Sequence, residues 1–257
     1  GSILALSLTN AVLLPWLDDW RKVVLVESAF AVVTGVVWLI VATLAPAEPD
    51  PQLAGPGTSD VAVGGGTWRT LRRDPGVRLA LVLGVGTFFV NHGLSAWLPD
   101  ALEEEVGLSP NAASNVVAAG LVLGVVANLL LPRAASDARR NRVLGSVMGL
   151  MAAALAIMVT MPQVVAVAAG LVVGIRAVLV PLVILVLMSA PTVGTANMGA
   201  ANGIWFAFAE VGGTTGPVAV GAIGDSAVGY TGALLVLAGV LVALVALTGW
   251  DSARRSP

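Results

Sequence analysis

Two ionisable side chains stand in the middle of long uncharged stretches of this sequence. Arg176 lies 14 residues after Pro162 and 15 before Pro191, and Glu210 lies 15 residues from both Thr195 and Asp225. A guanidinium in such a place can hold an anion through its planar fork of donors. A carboxyl kept from water holds its proton to higher pH and can carry it. The two segments are consecutive and antiparallel, so Arg176 and Glu210 can equally form a packing ion pair and leave no site. Both readings are open, and they overlap, because an ion pair can break when a ligand binds.

A third group surrounds the only histidine. Thr87, Asn91 and Ser95 follow one another at i, i+4 and i+8, on one helix face. His92 sits about 100° round from Asn91, either as a hydrogen-bonded packing residue or as a proton relay. Further on, Asn202, Phe206, Glu210, Gly213 and Pro217 fall on one stripe. The glycine and proline there point to a backbone break or a close helix contact. Asn128, alone in its segment, is expected to make an interhelical hydrogen bond, and Glu27 to reach the interface.

The elements that hold these residues follow from composition. The chain has 257 residues, 57% hydrophobic and only 11% charged, with a mean hydropathy of +0.93. A soluble domain carries about 25% charged residues. Eight apolar runs can be drawn: Ile3–Leu17, Val23–Leu44, Val77–Pro99, Ala112–Pro132, Val143–Met161, Val164–Ala190, Met198–Ala222 and Val228–Gly249. Most exceed the roughly 18 residues that mark a membrane helix. Barrel strands would be about 10 residues long with alternating polarity. A helix satisfies its own backbone in hydrocarbon, so an all-α polytopic membrane bundle is expected. An ionisable residue inside it costs about 2.5–3.5 kcal/mol on insertion scales, which is why Arg176 and Glu210 need a reason.

Residues 45–75 differ in kind. Pro46, Pro49, Pro51, Pro56 and Gly64-Gly65-Gly66 predict a flexible, non-helical linker between two spans and six. Placing that linker in the cytoplasm puts ten basic residues on its side of the membrane: Arg69, Arg72, Arg73, Arg78, Arg133, Arg139, Arg140, Arg142, Arg254 and Arg255. The other side receives Arg21 and Lys22. Cytoplasmic loops carry the excess of Lys and Arg.

Three motifs point to a family. Pro132-Arg133-Ala134-Ala135-Ser136-Asp137-Ala138-Arg139-Arg140-Asn141-Arg142 resembles the G-x-x-x-D-R-x-G-R-R cytoplasmic loop of the major facilitator superfamily, without its glycines. Gly212-Gly213-Thr214-Thr215-Gly216-Pro217, followed by Gly224-Asp225, resembles that family's eleventh span and exit loop. Trp97-Leu98-Pro99, then Gly107-Leu108-Ser109-Pro110 and Ala112-Ala113, is similar to spans seven and eight of cyanate-permease-like members. The resemblance implies twelve spans in two six-helix halves, with inverted repeats inside each half. Residues 1–44 would then be the last two spans of a truncated N-terminal half, 45–75 the cytoplasmic linker, 76–250 the C-terminal six-helix half and 251–257 a cytoplasmic tail. By itself such a piece is expected not to transport.

The function implied is secondary active transport of a small solute around a midplane cavity, with a proton as candidate coupling ion and a small organic or inorganic anion favoured by Arg176. Efflux of drug-like or metabolite compounds by the same fold, and a non-transporting membrane sensor, are the alternatives. In the family, spans seven and ten line the cavity. That places Arg176, Asn91, His92 and Ser95 as candidate substrate contacts, joined by Asn202 and Phe206 from the stripe of the eleventh span, with Glu210, Asp137, Arg139 and Arg140 as candidate coupling or gating residues. Spans nine and twelve are peripheral, in keeping with the absence of ionisable residues from Val143–Met161 and Val228–Gly249. No cofactor and no metal is expected. Without cysteine there is no thiolate chemistry, and there is no nucleotide loop, zinc motif or serine-nucleophile motif. A net charge of −2 suggests no nucleic-acid partner. The expected protein is a multi-pass, monomeric resident of a prokaryotic cell membrane, its partners a small molecule, the proton and the bilayer.

The topology is testable with impermeant thiol reagents on intact cells expressing the full-length protein. Glu104→Cys should label from outside and Ser136→Cys should be protected. The reverse pattern overturns the orientation.

Overall fold

The structure, a computed structural model, describes residues 9–44, 65–136 and 139–255, and all regular elements among them are helical. Among the described residues seven helices are long and apolar enough to cross a membrane. The chain divides into two compact units, residues 1–62 and 63–257. In the first, a π-helical turn (Thr9–Leu13) and one α-helical turn (Leu14–Leu17) lead to α1, Trp20–Leu44. Residues 3–8 of the first expected run lie outside the described residues. Within this unit the Thr9 hydroxyl donates to the Glu27 carboxylate.

The second unit begins with α2, Gly65–Leu71. The end of the expected flexible linker is thus helical, and residues 45–64 lie outside the described residues. Packing overrides the glycines here: Leu71 is buried, and the Trp68 ring stacks on Phe208 at 5.8 Å. Six membrane-length spans follow. They are α3 (Pro75–Glu104), α4 (Pro110–Ala134), α5 (Arg140–Thr160), a broken span, α8 (Gly194–Gly224) and α9 (Gly229–Arg255). The broken span is α6 (Gln163–Val173), a 3₁₀ stretch (Gly174–Val178) and α7 (Leu179–Met188). Its apolar run predicted one continuous helix. The tighter stretch comes where Gly174 meets α4.

Caps explain several of the starts. Pro75 and Pro110 sit in the first turns of α3 and α4, where no N–H is missed. The Asp74 carboxylate accepts from the Gly76 N–H at 2.7 Å, and the Ser109 hydroxyl from the Ala112 N–H at 3.4 Å. Helix α3 passes through Pro99 to Glu104, five residues beyond its apolar run.

The six spans pair in a pattern that repeats. Helix α3 packs along α8, α4 along α6 and the 3₁₀ stretch, and α5 along α9. Exchanging the first three spans with the last three maps this set of pairs onto itself, the arrangement of two inverted three-helix repeats. Glycine spacing makes both close pairs possible. Gly120 and Gly124 of α4 lie against Leu171 and Gly174. A Cβ on Gly124 would sit 2.5 Å from the Gly174 carbonyl oxygen, and one on Gly174 would overlap the Gly120 carbonyl. Gly212 and Gly216 of α8 likewise lie against the Val85 and Phe89 carbonyls of α3. Glycines four apart let membrane helices bring their backbones together. Two indoles lock the α3–α8 pair: Trp205 Nε1 donates to the Ala80 carbonyl and Trp97 Nε1 to that of Pro217, both at 2.8 Å.

The ends are tied as well. Asp74, before α3, accepts from the Thr192 hydroxyl at 2.9 Å and its N–H at 3.3 Å, in the loop before α8. Burial raises the Asp74 pKa, but the Thr192 and backbone hydrogen bonds outweigh it, and the carboxyl ends below its ordinary value. At the opposite end Gln163, at the start of α6, donates to the Val106 and Gly107 carbonyls at 3.1 and 3.3 Å, in the loop before α4. Glu105 there accepts from the Thr231 N–H and hydroxyl at 2.8 and 2.6 Å.

The crossings make a paired prediction. Gly174→Ala should lower the thermal midpoint of the purified protein, because a methyl forced into a backbone costs about 1–3 kcal/mol or more. Gly149→Ala, with nothing within 4 Å of the new carbon, should be neutral or up to about 1 kcal/mol stabilising. Equal midpoints for the two variants would refute the close crossing.

Candidate functional site

Among the described residues, the α3–α8 pair carries the place where candidate residues from different spans converge. Phe88 and His92 are one turn apart on α3, and Phe206, Glu210 and Gly213 follow at one-turn spacings on α8. The imidazole stacks on Phe88, with ring centroids 5.2 Å apart and planes at 19°. Phe88 meets Trp205 edge-on at 5.5 Å, and Phe206 meets Trp205 edge-on at 4.9 Å. Edge-to-face packing is favoured by the ring quadrupoles. The aromatic group is graded from core to surface: Trp205 is 0% and Phe206 39% exposed.

Gly213 brings the Glu210 and His92 side chains together. The point where its Cβ would stand lies 2.8 Å from Glu210 Oε2 and 3.3 Å from both Nδ1 and Cε1 of His92. Carboxylate and imidazole edge therefore face one small space, kept open because residue 213 has no side chain. Glu210 is exposed and His92 half-buried. Stacking on Phe88 constrains the plane of the imidazole.

The other candidates do not join this cluster. Ser95 is exposed and donates to the Asn91 backbone carbonyl at 2.7 Å, while Thr87 is buried and donates to the Leu83 carbonyl at 2.7 Å. Both hydroxyls are bound to their own helix. Asn202 is half-buried, with a buried side-chain oxygen that has no hydrogen-bond partner. Asn128 donates to the Gly124 carbonyl one turn back, at 3.1 Å, rather than across helices. Asp137 lies outside the described residues. Next to it the Arg139 guanidinium donates to the Ser136 hydroxyl at 3.3 Å, and Arg140 opens α5.

Arg176 is 3% exposed, on the 3₁₀ stretch, and its Nη1 is buried without a partner. It makes no ion pair with Glu210. Glu210 is exposed beside His92, while Arg176 is buried in the bundle. An ionised group taken from water without a partner is costly, so this guanidinium is the strongest electrostatic demand among the described residues.

Sequence reasoning passed over Phe88 and Trp205, which hold His92 and Phe206 in place. The i, i+4 spacing of Phe88 to His92 was a usable signal. Trp205 gave none, since one more aromatic residue in an apolar run has nothing to distinguish it. Among the described residues no group of three or more His, Cys, Asp or Glu side chains converges as a metal would require.

Comparison with known proteins fits this architecture. No curated protein matches the chain. The family model described as Major Facilitator Superfamily matches residues 1–198, which take in α1 to α7 and the first turn of α8. With a match over more than half its length and a bundle of membrane-length helices, the chain belongs to the major facilitator superfamily, a family of secondary membrane transporters.

Proposed function

We propose that this is a proton-coupled secondary transporter in which Glu210 takes up and releases the coupling proton beside His92. The observation that carries the reading is the meeting of the Glu210 carboxylate and the His92 Nδ1 edge over Gly213. Glu210 is exposed and has no arginine partner. Such a carboxylate suits a cation, and the proton is the cation assigned to it. The aromatic wall of Phe88, Trp205 and Phe206 keeps water from one flank. Protonation from the open flank then changes the charge of a surface that the carrier must desolvate to change its access.

A second observation bears on the cargo. Arg176 is cationic, buried and unpartnered, which supports a small anion as substrate. Its planar fork would bind two oxygens of a carboxylate or oxyanion. Uptake of an anion with a proton would move less net charge than either alone.

Vesicle flux of the full-length protein separates these roles. Glu210→Gln removes an exposed charge and should change stability by no more than about 0.5 kcal/mol. It should abolish accumulation driven by a pH gradient and leave solute exchange intact. Gly213→Ala should push the carboxylate from the imidazole and weaken coupling in the same direction. Unchanged pH-driven accumulation in Glu210→Gln overturns the proton role. Loss of lipophilic-cation efflux, with proton dependence unchanged, would replace it by a drug-cation site.

The anion is tested at Arg176. Arg176→Lys keeps the charge and loses the fork, so it should express normally and transport at least about tenfold more slowly, the effect of one charge-assisted hydrogen bond of about 1.5–3 kcal/mol. Because Arg176 and Glu210 are not paired, Arg176→Ala with Glu210→Ala should not recover transport. Recovery by that double change would leave a packing ion pair and no anion site.

A further inference from the structure

Two helices of the second unit end in acid. Asp100, Glu103 and Glu104 stand in the last turns of α3, Glu105 caps that helix and Asp225 caps α8, and neither last turn holds a basic residue. The free carbonyls of a helix C-terminus carry partial negative charge and favour cations, so these carboxylates stand against the field of their own helices. The connections at this end, residues 104–110, 160–163 and 224–229, contain no Lys, Arg or His. Glu105 has a structural task, since it accepts from the Thr231 N–H and hydroxyl at the start of α9. Asp100, Glu104 and Asp225 have no hydrogen-bond or ion-pair partner among the described residues.

What these three share is Tyr230. Its ring packs against Gly224, where a Cβ would stand 2.8 Å from Cε1, and against Trp97, with ring centroids 6.1 Å apart. The residue is 5% exposed. Trp97 is itself held by its bond to the Pro217 carbonyl. The charges of Asp100, Glu104 and Asp225 all bear on the Tyr230 hydroxyl. A buried tyrosine usually finds a partner for that group. Here it has no hydrogen-bond partner among the described residues, although three carboxylates are near. A phenol oxygen is thus held in place beside unneutralised charge and left free to meet a donor from outside.

The spacing of the acids selects the cation. Asp100 and Glu104 are one turn apart, about 6 Å along α3, and Asp225 is on another helix. Among the described residues no three such side chains converge as a metal would require. Ammonium groups strung along a flexible chain can meet separated carboxylates one by one, and each brings N–H donors for an oxygen such as the phenol's.

We propose that this acidic end binds an organic oligoamine, with one ammonium donating to the Tyr230 hydroxyl and the positive charges of the chain shared among Asp100, Glu104 and Asp225. The site is separate from the Glu210–His92 cleft and from Arg176, and does not rest on their roles.

Spermidine is the probe, titrated by calorimetry into the full-length protein in phosphatidylcholine nanodiscs, whose zwitterionic lipid offers no net charge to compete. The wild type should bind it saturably, and more weakly as salt is raised. Asp100→Asn and Asp225→Asn should each weaken binding about fivefold, the upper end for an exposed ion pair. Tyr230→Phe keeps the ring and its packing, and should weaken binding at least about threefold through the lost oxygen. Weaker binding in both acid variants with Tyr230→Phe unchanged would leave a diffuse acidic surface and overturn the site. So would an equal response to magnesium at matched ionic strength, or the absence of saturable binding in the wild type.

Discussion

Backbone lying on backbone organises this protein. Lipid-facing helices gain nothing by hiding apolar side chains from one another, since the surrounding tails are as apolar as they are. What holds them is close packing, and the closest packing available is between main chains. Gly120 and Gly124 on Gly174, and Gly212 and Gly216 on the Val85 and Phe89 carbonyls, provide it twice. Each contact joins a span of one three-helix repeat to a span of the other, so the repeats interlock rather than sit side by side. The 3₁₀ stretch at Gly174–Val178 belongs to the same constraint. Where two backbones touch, the turn of the broken span tightens, and Arg176 is carried on that tightened turn.

The same closeness shapes the cleft between α3 and α8. Two helices this near leave room between them only where a side chain is missing or lies flat. Gly84 receives the Trp205 indole and Gly221 that of Trp97, and each indole then finds a carbonyl on the facing helix. The stack of Trp205, Phe88, His92 and Phe206 is the outer continuation of this filling. Glu210 and His92 meet because the helix axes approach closely enough for a glycine to separate them. Chemistry at the surface of the pair is set by packing at its centre.

Much of this was legible in the sequence. Membrane spans announce themselves through length and apolarity, because a bilayer imposes both, and six of the seven described membrane-length helices run without a break over their expected segments. Helix ends were less legible. Asp100 and Glu103 look like loop residues, yet α3 continues through them, as a helix leaving the membrane into water can. The break in the broken span was hidden, because valine and leucine favour neither geometry. Only the four-residue spacing of Gly170 and Gly174, facing that of Gly120 and Gly124, hinted at it. For the site, azimuth was not readable. Counting residues placed Arg176 and Glu210 at one level but could not tell that one is buried and the other exposed. His92 was judged against the face of its own helix, whereas its surroundings come from Phe88 and from α8.

The ties at the two ends bear on how such a unit moves. Asp74 holds the loop before α8, and Gln163 holds the loop before α4. Each is the first polar anchor of one repeat gripping a hinge loop of the other, at opposite ends of the bundle. To shear the repeats past one another, both grips must let go together, although a bundle's length separates them. A bending moment applied at either end is therefore spread across six spans instead of being absorbed in one. A unit tied at both ends in this way should pass a displacement from one end to the other rather than take it up within a single span.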